Sequence, residues 1–417
     1  MPRFIGMDVH RDFAQIAVVD GGKVIDAGRV DCRPEALRAW AAELTVDDQV
    51  VLEATGNSDA IAGLLSQYAG RVVVSNPLKT RAIAEAKIKT DKVDARILAQ
   101  LLAVDFLPPV WLPDDRTAML RRMSTARASL VRQRTQTKNR VHAVLHRNLM
   151  PRPPATDLFG KNGRAWLETL PLPEDERDAV TSLLRQLDFL NAEVAAADKA
   201  IAKQVVGDQA VRRLMTIPGV DVIVAVSIIA AVGDFSRFES PDKLVAYLGL
   251  HPKVRQSGNS PAIHSHITKT GRASTRGMLV EAAWVAAKAP GPLRAFYHRV
   301  KQRRGFQIAV VATARKMLVL AWHLVTKDED YAFARPSLVA FKRRKLELAA
   351  GAPRDSRRGA GYDYNDKQLR RFERDLVEKS EQAYERLVAS WQPSRPAGAD
   401  RIDFHPTPET EATPAMT

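Results

Sequence analysis

Four carboxylates in the first hundred positions stand where a charge is hard to keep without a partner. Asp8 closes the apolar run Ile5-Gly6-Met7-Asp8-Val9-His10, and Glu53 closes Val50-Val51-Leu52-Glu53. A carboxylate at the end of a buried strand is costly to desolvate unless it is paired or bound to a metal. Asp91 and Asp94 are spaced i and i+3, so on a helix they share one face. Four acids converging from two strand ends and a helix repel one another, and a divalent cation removes that penalty. Hard oxygen donors suit Mg²⁺ or Mn²⁺, and two such ions about 3.5–4 Å apart can stabilise the attacking and leaving oxygens in phosphodiester cleavage. Each acid alone also has a plain structural use. Asp91 can serve the helix dipole after Thr90, Asp94 can pair with Lys89, Lys92 or Arg96, Asp8 can be a turn acid and Glu53 a salt-bridge partner. Singly those uses are commoner; the joint placement points to a metal site.

The elements that must position these acids follow from patterning. Phe4 to Val9, Phe13 to Val19 and Lys23 to Val30 read as short strands parted by turn residues such as Asp20-Gly21-Gly22. Pro34 to Leu44 is helix-forming, Asp48 to Ala54 is a buried strand, Ser58 to Tyr68 a helix capped by Ser58, and Arg71 to Val74 a further strand. Helices over Leu78 to Ala86 and Asp91 to Leu102 follow. This βββαβαβα order predicts a mixed sheet with helices on its faces, an α/β domain over residues 1–110. Leu107-Pro108-Pro109, closing at Pro113, reads as a linker.

Past the linker the chain is basic and helical over 113–205. Arg116 to Thr156 contains no Asp or Glu and ten Lys or Arg. Arg121, Arg122, Arg127, Arg132, Arg134, Lys138 and Arg140, on successive helical turns, would track a phosphate backbone with strong salt dependence. A solvated basic face is the ordinary alternative. An RNA duplex offers mainly backbone and 2′-hydroxyl groups to such a surface, and the sequence does not separate RNA from DNA. Val180, Leu183, Leu187, Leu190, Val194, Ala197 and Ile201 make three heptads of an a/d seam, fit for a helical hairpin, a dimeric coiled coil or an amphipathic helix packed within one chain. In 206–330, Ile217-Pro218-Gly219-Val220 ahead of an apolar helix looks like a helix-hairpin-helix turn, whose amides can hold phosphate. In 331–417, Lys342-Arg343-Arg344-Lys345 and Arg357-Arg358 read as nucleic-acid contacts or a solubilising tail. Lys367 to Trp391 reads as a charged helix, and partial disorder is expected after Pro393.

Composition narrows the function classes. The 417 residues carry 63 Lys and Arg against 48 Asp and Glu, a net +15, which favours a polyanionic partner and most simply nucleic acid. At 45% hydrophobic residues a core is possible. Cys32, the single cysteine, excludes an intramolecular disulfide framework and a cysteine zinc cluster. No secretory signal is visible. The run Val222 to Val232 falls short of the about 20 residues a bilayer needs, and the apolar stretch near residue 320 is broken by Arg315 and Lys316. A soluble, cytoplasmic protein with no membrane partner is expected.

These residues carry a resemblance. Asp8 in GMDVH, Glu53 in LEATGN and Asp91 and Asp94 in KTDKVDARILAQLL resemble the acidic tetrad of the DEDD transposases of the insertion-sequence-110 family. Downstream, IPGV, AYLGLHP, QSG and ITKTGRASTRGMLVEAAW follow in the family's order, so the resemblance covers roughly residues 3–325 with a coiled-coil insertion between its parts. It implies a RuvC-like, RNase H-like N-terminal domain, a mostly α coiled-coil arm and an α-helical C-terminal domain. It further implies a recombinase acting on donor and target DNA, directed by a structured guide RNA (a bridge RNA) and assembled as a homo-oligomer, a dimer or tetramer. A C-terminal serine would be the covalent nucleophile, working with the Mg²⁺-binding acids of a neighbouring subunit. That serine maps to Ser257 in Val254-Arg255-Gln256-Ser257-Gly258, with Ser260 and Ser265 as rivals. Arg255, Lys269, Arg272 and Arg276 would neutralise the attacked phosphate, and no acid occurs between Asp242 and Glu281. His264 and His266 lack a third ligand in sequence and read as phosphate contacts or bystanders rather than zinc ligands. Two further readings stay open: a hydrolytic junction resolvase using the same acids with water, and a non-catalytic nucleic-acid-binding protein whose acids are structural.

Overall fold

A computed structural model describes residues 2–83, 90–258, 263–354 and 365–390. Ser260, the Arg357-Arg358 cluster, the end of the helix expected to reach Ala86, and the disorder expected after Pro393 lie outside those residues. The chain forms two compact units, Met1–Asp115 and Arg116–Thr417.

In the first unit, β1 (Phe4–Val9), β2 (Phe13–Asp20), β3 (Lys23–Asp31), β4 (Gln49–Glu53) and β5 (Arg71–Ser75) form one sheet in the order β3-β2-β1-β4-β5. The β1-β2-β3 meander is antiparallel, while β1, β4 and β5 run parallel. Among the described residues four helices accompany it: α1 (Pro34–Ala41), α2 (Ser58–Leu65), α3 (Pro77–Ile83) and α4 (Asp91–Ala103). Side chains alternate across a strand, and here both faces are apolar because both are covered. Ile5, Met7, Val50 and Leu52 pack with Leu37, Ile61 and Leu65 of α1 and α2. Val51 and Val73, on the opposite face, pack with Leu98 and Leu102 of α4. Gly6 lets α4 cross directly over β1: a Cβ there would stand 2.1 Å from the Ala95 carbonyl oxygen and 2.6 Å from the Ala99 nitrogen. The mixed sheet expected from patterning is the sheet observed.

The second unit is mostly helical. It contains α5 (Asp115–Arg147), α6 (Lys161–Glu168), α7 (Glu174–Val205), α8 (Gln209–Leu214), α9 (Val222–Val232), α10 (Pro241–Tyr247), α11 (Ala273–Ala286), α12 (Pro292–Arg304), α13 (Phe306–Thr326), α14 (Pro336–Ala350) and α15 (Lys367–Ser390). A two-stranded hairpin, β6 (Pro252–Arg255) and β7 (Ile263–Ile267), lies between α10 and α11. Arg127 pairs with Asp198 and Arg147 with Glu176, so α5 and α7 run antiparallel. The heptad residues Val180, Leu183, Leu187, Leu190, Val194 and Ile201 are buried within this one chain. Helix α13 is long and apolar enough to cross a membrane by length and composition, yet Val310, Ala314, Met317, Leu318 and Ala321 sit in the main core of the unit.

The C-terminal helices are docked by buried polar groups. Glu373 and Glu381 of α15 are 7% and 6% exposed. Glu373 accepts from the Ser337 backbone N–H at 2.9 Å and from its hydroxyl at 2.5 Å, at the start of α14. Glu381 accepts from the Gly291 N–H at 3.0 Å, at the start of α12, and from Arg294 at 2.6 Å. Each carboxylate thus meets the positive end of a helix dipole. Lys342 corrects its sequence reading: its Nζ donates inward to the carbonyls of Met215, Ile217 and Val220 at 2.7, 3.0 and 2.8 Å. Two other cations of that cluster also have protein partners, Arg343 with Asp330 and Arg344 with Glu347.

Candidate active site and nucleic-acid surface

Asp8 lies two residues after Gly6 and Glu53 two after Val51, so by alternation both acids belong to the sheet face that α4 covers. Each also stands one residue beyond the Met7–Leu52 register pair of parallel strands β1 and β4. Helix α4 delivers the other two. Thr90 caps it, its hydroxyl accepting from the Val93 N–H at 3.3 Å, and Asp91 and Asp94 fall in its first turn.

The tightest grouping contains a residue that sequence patterning did not single out. Nε2 of His10 lies 3.3 Å from Asp8 Oδ2 and 3.4 Å from Asp91 Oδ1. One donor atom from each of Asp8, His10 and Asp91 lies within 4.8 Å of the other two, a set able to hold a metal ion. Asp8 and His10 are spaced i and i+2, so extended chain places them on one face; that spacing was the available signal. Burial pushes the Asp8 carboxyl above the ordinary carboxylate pKa; His10 opposes the shift, while Asp94 and Asp91 add to it. Asp94 therefore acts on the same carboxylate as Asp91. Glu53 is half-buried at the strand end and outside the three-residue grouping. Arg96, a possible partner for Asp94 by sequence, is bound instead to Asp26 at 2.6 and 2.5 Å. Arg29 approaches Asp91 at 3.6 Å and is held over the Phe13 ring at 4.3 Å.

In the second unit, Ser257 is exposed in the loop that follows β6, next to Gly258 at φ +54°. The hairpin's base is a tight joint between the AYLGLHP and TKTGR segments. Gly249 (φ +70°) and Gly271 (φ +68°) leave no room for side chains: a Cβ would stand 2.3 Å from the Thr270 oxygen and 2.4 Å from the Tyr247 oxygen, respectively. Arg276 belongs to that joint. Its Nη1 donates to the carbonyls of Leu248, Thr270 and Gly271, so one edge of the guanidinium is engaged within the joint. Arg255 and Lys269 are exposed and Arg272 is half-buried at the N-cap of α11. Ser265 is exposed on β7.

The basic helix also divides. Arg121 is half-buried and donates to the Ala230 and Ala231 carbonyls at 2.8 and 3.3 Å, and Arg127 is paired with Asp198. Lys138 stacks over Phe159 at 4.8 Å. Arg122, Arg132 and Arg140 are exposed, Arg134 is half-buried, and none of the four has an ion pair among the described residues. The acids absent from 116–156 are thus partly supplied by α7, which is why the run looked uncompensated. The Ile217–Val220 turn is likewise turned inward. Ile217 and Val220 are fully buried, and Asp221 caps α9 by accepting from the Val224 N–H at 2.9 Å, putting a carboxylate where the sequence pattern suggested phosphate.

Comparison with known proteins matches both units. A transposase family model for the DEDD transposases of IS110 type matches residues 5–150, and the model described as Transposase IS116/IS110/IS902 family matches 211–298. The transposase for insertion sequence element IS1111A of Coxiella burnetii is 25% identical over 356 residues, 79% of this chain and 91% of the relative. The pilin gene-inverting protein of Moraxella bovis is 25% identical over 299 residues, 68% of this chain and 81% of the relative. The transposase for IS1328 of Yersinia enterocolitica is 24% identical over 289 residues, 67% and 84% of the two chains. The chain belongs to the IS110 family of transposases.

Proposed function

We propose that this protein is a DNA transposase, a site-specific recombinase that cuts and rejoins the strands of an insertion sequence. The observation that carries the reading is the meeting of Asp8 and Asp91 at the end of β1, with Asp94 acting on the same carboxylate. Relatives named as transposases and as a gene-inverting protein support DNA rearrangement as the outcome. The first unit is then an RNase H-like, RuvC-like catalytic domain, a reading supported by its mixed sheet with the acids at strand ends beneath α4. The domain division is 1–110 catalytic, 113–205 basic arm, 206–330 serine-bearing and 331–417 accessory.

Asp8, Glu53, Asp91 and Asp94 would hold Mg²⁺ or Mn²⁺. The donor set fits, being the hard carboxylate of Asp8, two more in Asp91 and Asp94 that raise its pKa, and a fourth at the neighbouring strand end. A bound cation supplies neutralisation of the attacked phosphate and stabilisation of the oxygens that gain charge. In the proposed step, Ser257 Oγ bonds to phosphorus as one P–O ester bond breaks; the serine proton is lost and the departing oxygen gains one. Arg255, Lys269 and Arg272 oppose the phosphate charge. The phosphoserine ester keeps the energy of the broken linkage, so a second strand's hydroxyl can reverse the step without a nucleotide cofactor. Arg122, Arg132, Arg134 and Arg140 form the surface for a guide RNA or DNA, and a homodimer or tetramer would bring Ser257 of one copy to the acids of another.

Replacing Ser257 with Ala should abolish covalent protein–DNA adducts on denaturing gels while DNA binding survives. Adducts persisting in that variant would reject Ser257 as nucleophile. The alternative, a hydrolytic junction resolvase, is favoured by one feature: the Asp8, His10 and Asp91 grouping is complete within the first unit. It predicts free cleaved ends with no adduct, and unchanged cleavage by the Ser257→Ala protein.

A further inference from the structure

His10 is the member of the acidic site to which a four-carboxylate reading gives no task. A single imidazole nitrogen carries either one proton or one lone pair, and an ordinary N–H···O bond is about 2.9 Å long. Nε2 of His10 instead faces two carboxylate oxygens at nearly equal and longer distances, 3.3 and 3.4 Å. One proton cannot serve both well; one cation placed among the three atoms can. Neighbouring donors that share a cation at 2.0–2.1 Å in octahedral geometry lie about 3 Å apart, and these separations are close to that.

The imidazole is also held in place. The His10 backbone N–H donates to the Phe13 carbonyl at 2.9 Å, fixing the main chain, and the ring itself packs on the Phe13 ring with centroids 4.8 Å apart. The His10 carbonyl accepts from Asn57 Nδ2 at 3.2 Å, and the Thr55 hydroxyl donates to Asn57 Oδ1 at 2.9 Å, orienting that amide. Thr55 and Asn57 lie in the loop that follows Glu53, so the segment carrying one acid also fixes the histidine.

We infer that Nε2 of His10 is a direct ligand of the divalent cation held by Asp8 and Asp91, making that position a mixed nitrogen–oxygen site that takes Mn²⁺ in preference to Mg²⁺. The inference rests on reading the acids as a metal site. Mg²⁺ favours oxygen and gives up its waters reluctantly, whereas imidazole suits transition ions. A carboxylate-only set favours Mn²⁺ less strongly and gives no nitrogen signal, so loss of both on removing His10 is the discriminating readout. Thr55 and Asn57 are then positioning residues for the ligand.

The test uses the full chain loaded with Mn²⁺ alone or Mg²⁺ alone, in wild type, His10→Ala, His10→Gln and Asp8→Asn. Affinity is read by calorimetry and nitrogen ligation by electron spin echo envelope modulation of bound Mn²⁺. The wild type should bind Mn²⁺ at least tenfold more tightly than Mg²⁺ and show an imidazole ¹⁴N signal. Both His10 variants should lose the signal and about tenfold or more in Mn²⁺ affinity, with Mg²⁺ affinity changed less than threefold. His10→Gln keeps a polar side chain of similar reach and guards against a folding defect. Mn²⁺ bound without ¹⁴N modulation, a signal that persists without His10, or equal wild-type affinity for the two ions overturns the inference and leaves the acidic metal site standing. Failure of Mn²⁺ to bind at all, with Asp8→Asn indistinguishable from wild type, overturns both.

Discussion

Asp48 sits out of water with a side chain 2% exposed, where Arg3 Nε and Nη2 donate to its two oxygens at 2.9 and 2.5 Å and the Thr45 N–H donates at 2.7 Å. These donors, Arg3 first, pull its pKa down to about 2. A carboxyl depressed in the folded state stabilises the fold above its ordinary pKa and loses that contribution as pH falls through the depressed value. Because Arg3 remains partly in water, about 1–2 kcal/mol is expected from the pair. Asp48→Asn should lower stability by about that much at pH 7 in urea melts, and the gap from wild type should close between pH 4 and 2. Asp8 is the opposite case, a carboxyl raised by burial and by like charges. Asp8→Asn should abolish strand cleavage while leaving nucleic-acid binding intact; binding and cleavage measured on the same DNA separate the two. The carboxylates were legible because an acid ending an apolar strand is conspicuous. His10 showed only as the i+2 neighbour of Asp8; its approach to Asp91 depends on α4 packing over β1.

Element placement depends on a few close approaches. Gly6 is where α4 crosses β1, and a methyl group there would enter the α4 backbone. Gly6→Ala should therefore push α4, and with it Asp91 and Asp94, away from Asp8. A destabilisation of about 3 kcal/mol and loss of cleavage are expected, checked by thermal melts and a cleavage assay. Lys342 does comparable work in the second unit, tying α14 to three carbonyls of the α8–α9 connection. Its burial pushes its pKa down to about 8. Lys342→Met should cost on the order of 3 kcal/mol by stranding those carbonyls. Gly6 was readable only as part of a strand, and Lys342 only as part of a basic cluster; neither position shows in one dimension what backbone lies across from it.

At the scale of the whole molecule, the surplus of positive charge is not one uniform surface. Arg121, Arg127 and Arg276 are engaged by carbonyls or acids of their own unit, whereas Arg122, Arg132 and Arg140 are exposed and unpaired among the described residues. Substituting Gln for Arg122, Arg132 and Arg140 should reduce the slope of log affinity against log salt by about 0.9 for each phosphate no longer neutralised. Arg121→Gln should leave the slope unchanged and lower the melting temperature instead. Filter binding across a salt series distinguishes these outcomes.

The sequence alone determined the strand and helix order of residues 4–103, the positions of the four acids and the segments that carry the family match, because periodicity, capping and strand-end charge are local properties of the chain. Tertiary structure decided which cations face inward, which helix supplies the missing acids, and that an imidazole stands between two of the carboxylates. Those outcomes depend on groups far apart in the chain meeting at distances of a few ångströms, and no local pattern of residues encodes such a meeting.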